Sequence, residues 1–290
     1  MRFGIFVADF DEDLLSLKVE SLIFPFDTPS GILRRAEQNF DVLLEFKPFQ
    51  GGFIEDVFGR KGKIEPLGCP SDENLRERNL SKLKEIPYKV IADFVRFPSP
   101  ASREWFFSCF CDNCRRKARE LGYSFDEMRK NVMKYMKEGD LKLLDSWLEF
   151  KMDVIRDYLN CSGLRRVFFF TPSLSFLVGQ SYEMKLDVIY PMIYPRCDGP
   201  ACIDEELSHM DKSIKSGVLR RMGSFEGLMK REFEKAKKSP SRVEPIIMVE
   251  DLPEGLKMGA DKLHLFAYSK EKKKIFREFL QGVHQQQCKR

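Results

Sequence analysis

Histidine and tryptophan are scarce in this chain of 290 residues, at three and two copies. His209, His264 and His284 share no metal-ligand spacing, which argues against a histidine-built metal centre. Long apolar runs are missing too. No stretch approaches the roughly 18 residues a membrane span needs. The opening Met1–Asp9 is too short and reaches acids too soon for a signal peptide, so a cytoplasmic protein without a membrane partner is expected. Nor does one sign of charge dominate. Lys plus Arg number 49 and Asp plus Glu 45, a formal charge of +4. That balance excludes the strongly basic face of a nucleic-acid binder and suits an uncharged ligand. The basic run Lys270–Lys274 and the polar tail Gln285–Arg290 read as a solvated helix face and a frayed terminus.

What is present is core material. Hydrophobic residues make up 43% of the chain, enough for a sizeable interior. Apolar runs of strand length cover 2–9, 22–27, 41–49, 88–97, 166–170, 186–194, 243–249 and 262–268. Helical patterns fill most gaps: 11–20, 30–39 with Ser30 as N-cap, 72–85, 141–159, 204–221, 225–238 and 270–282. Continuous apolar strands suit a parallel sheet covered on both faces. Eight such β/α units in 290 residues predict a single (β/α)8 TIM barrel spanning 1–290. A Cys-containing excursion, 101–139, follows the fourth strand. An open doubly wound sheet is the competing architecture, but no Gly-rich phosphate fingerprint follows any strand.

In a TIM barrel, chemistry gathers at the carboxyl ends of the strands. The polar residues at those ends are therefore the candidates. Asp93 stands out, because a carboxylate within an apolar strand is costly to bury without partners. Arg96 follows it, and Glu45 and Lys47 share one strand face. Tyr190 and Tyr194 share parity on the sixth strand, and Glu250 and Asp251 end the seventh. Asp9 and Asp27 read as helix-capping acids. His264, inside the last strand, reads as a satisfied core or rim residue.

The eight cysteines divide unequally. Cys109, Cys111 and Cys114 form a C-x-C-x-x-C cluster, and Cys69 lies in the neighbouring loop. Four thiolates from adjacent loops meet the needs of a tetrahedral structural zinc. Thiols packed against a helix without metal are the plainer reading. Cys197 and Cys202 are expected to be free thiols, and Cys161 and Cys288 to have no special role.

Asp93-Phe94-Val95-Arg96-Phe97-Pro98 resembles the Asp-Tyr-Ile-Arg-Phe-Pro signature of a group of glycoside hydrolases with a TIM-barrel catalytic domain. Asp187–Pro195 resembles the same group's sixth strand, and Trp147, Phe150 and Lys151 fit its Trp-x-x-aromatic-basic helix pattern. The cysteine cluster is similar to the zinc site of certain TIM-barrel β-galactosidases, whose Asn-Glu pair on the fourth strand is replaced here by Asp93. These resemblances imply a glycosidase acting on a small-molecule or oligosaccharide ligand, with Asp93 as nucleophile or base. The fifth strand ends without a carboxylate, so the general acid falls to Glu250, with Asp251 or Asp198 as substitutes. Lys47, Arg96, Tyr190 and Tyr194 would position substrate, with Glu45 beside them. The rivals are a non-catalytic sugar-binding barrel and a metal-dependent enzyme of another class on the same fold.

Overall fold

The computed structural model describes residues 1–197, 199, 201–278 and 280. Asp198, His284 and Cys288, considered above, lie outside them. Eight parallel strands close into a barrel: β1 (Arg2–Val7), β2 (Ser21–Pro25), β3 (Asp41–Phe46), β4 (Lys89–Ala92), β5 (Arg166–Phe170), β6 (Val188–Met192), β7 (Ile246–Met248) and β8 (Lys262–Tyr268). Neighbours in sequence are neighbours in the barrel, and β8 pairs with β1 from Arg2↔Lys262 onward. The ring is completed by Ile246↔Met192 between β7 and β6.

Strand parity sorts the core. On β1 and β2, Phe6 and Ile23 join one apolar cluster, while Ile5, Val7, Leu22 and Phe24 join another with Leu33 of the first helix. Alternate residues thus serve the barrel interior and the helical layer, and this is why the strands read as unbroken apolar runs. Most strands end before their apolar runs do, and at two of them the cause is local. At β4, Asp93 Oδ1 accepts the Phe94 N–H at 2.7 Å, and Phe94 adopts φ 53°, turning the chain away. The seventh run is split at Glu244–Pro245, because proline has no N–H for the ladder. Ahead of the break, Arg242–Val243 pairs with β6.

The helices are α1 (Ser30–Ala36), α2 (Glu73–Ser81), α3 (Asp112–Glu120), α4 (Phe125–Glu138), α5 (Asp145–Ser162), α6 (Pro172–Ser175), α7 (Ile203–Ser208), α8 (Lys212–Met222), α9 (Leu228–Ala236) and α10 (Leu252–Gly255). The segment 204–221, expected as one helix, is two. Asp211 accepts the N–H groups of Ser213 and Ile214 and so restarts the chain as α8. The capping acids also differ from expectation. Asp11, not Asp9, caps the first short helical turn, and α1 begins after Pro29 without a side-chain cap.

The excursion after β4 carries α3 and α4 and packs over α5. Trp147 of α5 lies among the rings of Phe106, Phe107 and Phe110. Trp105 covers Gly62 in a small hairpin, Ile54–Glu55 with Lys61–Gly62, where a Cβ would come within 2.3 Å of the indole. No helix among the described residues is long and apolar enough to cross a membrane.

Candidate active site and cysteine cluster

A cavity of about 390 Å³ opens at the carboxyl ends of the barrel strands. Among the described residues, its charged lining groups come from one arc. Glu45 and Lys47 arrive from the end of β3, Asp93 and Arg96 from the end of β4. The facing arc is apolar: Phe6 of β1, Met192 of β6, Met248 of β7 and Phe266 of β8. Tyr194, two residues past β6, adds a buried phenol.

Glu45 is only 4% exposed. Burial, and then the Asp93 carboxylate beside it through charge and hydrogen bonding, pushes Glu45 up to about 8. Lys47 pulls the other way, with Nζ 3.2 Å from Glu45 Oε1. Glu45 therefore carries a proton at neutral pH, next to a second carboxyl group. Burial also raises the Tyr194 phenol, and the charges of Asp93 and Glu45 raise it further, so the hydroxyl keeps its proton.

Arg96 is buried, with its guanidinium over the rings of Phe94 and Phe170 at 4.9 and 4.7 Å. Burial lowers it to about 10, so it stays charged at neutral pH, supported by Glu206 and Asp93. Glu206 of α7 is fully buried and accepts the N–H groups of Ala101 and Ala201 at 2.8 and 3.2 Å. Behind Arg96, the fully buried Lys151 donates to the Leu177 carbonyl, and its Nζ lies 3.9 Å from the Trp147 ring centroid. Burial pushes this amine well below its usual value.

The remaining sequence candidates lie elsewhere. Glu250 is two residues beyond β7 and turns outward to Lys272, 2.9 Å away. Asp251 lines a separate surface cleft with Arg196 and Glu254. The carboxyl group beside Asp93 is Glu45, not Glu250. Strand β7 ends at Met248, and the short helical turn Val249–Asp251 that follows carries both acids away from the mouth. Tyr190 sits one layer below the cavity, edge-on to His264 at 5.1 Å between centroids. His264 is fully buried and its Nε2 is bonded to Glu244 at 2.9 Å, but its buried Nδ1 has no partner among the described residues, so the expected core histidine is only half satisfied. Glu206 and Lys151 were not singled out as site residues. Lys151 had a legible signal, since Trp147, Lys151 and Ile155 share one helix face at four-residue spacing. Glu206, last of an acidic triplet, had none.

Cys69, Cys109, Cys111 and Cys114 come together, with all four Sγ atoms within 4.8 Å of one another. Cys69 Sγ lies 3.4 Å from both Cys111 Sγ and Cys114 Sγ. A tetrahedral ion with metal–sulfur bonds of about 2.3 Å needs sulfurs roughly 3.8 Å apart, so a small contraction or expansion accommodates it. The Glu55 N–H points at Cys109 Sγ at 3.4 Å, the kind of outer donor that steadies a thiolate. The cluster can hold a metal ion. Cys197 and Cys202, expected as thiols, form a disulfide. It closes the loop after β6, where Cys197 and Ala201 line the cavity.

No protein-family model matches this chain, and no curated protein matches it.

Proposed function

We propose that the barrel mouth hydrolyses glycosidic bonds, with Glu45 as general acid and Asp93 as its partner carboxyl group. The supporting observation is the buried Glu45, pushed up to about 8 and held beside Asp93 in a cavity at the catalytic end of the barrel. Glu45 would give its proton to the departing oxygen. Lys47 would then steady the carboxylate left behind, and Asp93 would stabilise the cationic sugar or activate water. Arg96 and Tyr194 would hold hydroxyl groups of the substrate. The two carboxyl groups interact through charge and hydrogen bonding. They suit a dyad sharing one proton that substrate or water opens on entry. The same contact favours a second reading, sugar binding without cleavage. The metal of the cysteine cluster would be zinc, since four sulfur donors select a soft, tetrahedral ion and leave no open position. Its part would be structural.

The test is a panel of α- and β-linked 4-nitrophenyl and 2,4-dinitrophenyl glycosides. Asp93→Asn should cut kcat about 100- to 10,000-fold on both leaving groups. Glu45→Gln should cut it by a similar factor on nitrophenyl glycosides and far less on dinitrophenyl ones, which leave without acid help. Equal losses for Glu45→Gln on both would remove it as the acid. Sugars that bind but are not cleaved would establish the second reading, and neither binding nor cleavage would overturn both.

A further inference from the structure

The cavity is divided in a way that sugar hydrolysis alone does not require. Among the described residues, its four charged groups, Glu45, Lys47, Asp93 and Arg96, all rise from β3 and β4. Across the mouth, Phe6, Met192, Met248 and Phe266 present carbon and thioether surface. Phe6 and Phe266 pack at 4.9 Å, and Tyr194 lies over Phe266 at 5.5 Å, so the aromatic part of this wall is braced. Aromatic rings alone would suit the C–H face of a sugar. The two methionines do not fit that role. Unbranched thioethers adapt to flexible apolar groups and offer no flat stacking surface. Pro25 and Ala8 continue the apolar wall toward β2 and β1. The cavity holds about 390 Å³, room for one sugar ring and a further group of similar size.

We infer that the substrate is an alkyl or aryl glycoside, with one sugar unit against the β3–β4 arc and its hydrophobic aglycone against the methionine wall. The sugar half rests on the function proposed above; the apolar half rests on the wall itself. An oligosaccharide would place hydroxyl groups against Met192 and Met248, whose thioethers are only weak acceptors, and would lose most of their hydration without return.

The experiment is titration calorimetry on the full chain carrying Asp93→Asn, which blocks turnover. The probes are methyl, butyl and octyl glycosides of one sugar below their micelle concentrations, with 1-octanol as a control. Burial of methylene groups is expected to tighten binding about tenfold or more from methyl to butyl, with a further gain to octyl. Met192→Gln with Met248→Gln should flatten that series while leaving the methyl glycoside's affinity within about threefold. An affinity that does not change with chain length, or oligosaccharides bound more tightly than octyl glycosides, would overturn the inference. Octanol bound as tightly as the octyl glycoside, with no methyl glycoside binding, would keep the apolar subsite and sink the sugar-cleaving reading instead.

Discussion

Phe94 carries the clearest local tension in the site. Its φ of 53° lies in the left-handed region, where a Cβ crowds the following carbonyl. The Asp93 side chain, bonded to the Phe94 N–H at 2.7 Å, holds the turn in place. Arg96 lies over the same ring at 4.9 Å, so the turn places both the carboxylate and the guanidinium at the mouth. Truncation separates strain from packing. Phe94→Ala and Phe94→Gly both lose the ring, but only glycine relieves the backbone. The glycine variant should therefore be the more stable by about 1 kcal/mol in urea unfolding. An alanine variant of equal or greater stability would show that the turn is unstrained. The sequence made Asp93 and Arg96 legible because charges inside an apolar strand demand a reason. It could not reveal the turn, since Phe94 and Val95 look like two more strand residues.

At the scale of elements, the cysteine cluster joins segments that the barrel itself leaves loose. Cys69 belongs to the long loop before α2, and Cys111 and Cys114 to the start of α3. Cys109 receives the Glu55 N–H from the hairpin. A metal here would tie three segments beside the mouth. Purified protein should hold about one zinc per chain, and chelation should lower its melting temperature by several degrees. Cys69→Ser should lose the metal and melt with the chelated protein. Protein far below one metal per chain, with melting indifferent to chelator, would leave a cluster of plain thiols. This grouping was legible because C-x-C-x-x-C is unusual spacing. The Cys197–Cys202 disulfide was not, because five residues of separation say nothing about whether two thiols face each other.

Across the whole molecule, the barrel was legible because each apolar run is buried on both faces, and the alternation with helices leaves few other closures. The acid was not. Sequence marks where a strand ends but not which way the chain then turns, so Glu250 and Glu45 looked alike as strand-end acids. Burial separates them, and it has a consequence for stability. The folded state holds the Glu45 proton up to about pH 8, whereas the unfolded chain releases it near 4.5. Between those values the folded state binds more protons, so the contribution of this group to stability is full below about 4.5 and lost as pH rises through 8. The difference in urea midpoint between the protein and Glu45→Gln should therefore shift steadily against the protein from pH 5 to pH 8.5. A difference that stays constant over that range would mean Glu45 is ionised throughout. The scarcity of tryptophan has its own consequence. Both indoles, Trp105 and Trp147, sit where the excursion, the hairpin and α5 meet, and the Lys151 amine lies 3.9 Å from the Trp147 ring. Intrinsic fluorescence is thus a built-in reporter for one flank of the molecule. It follows the packing around the cysteine loops, while the seam between β8 and β1, which carries tyrosine but no indole, adds nothing to tryptophan emission.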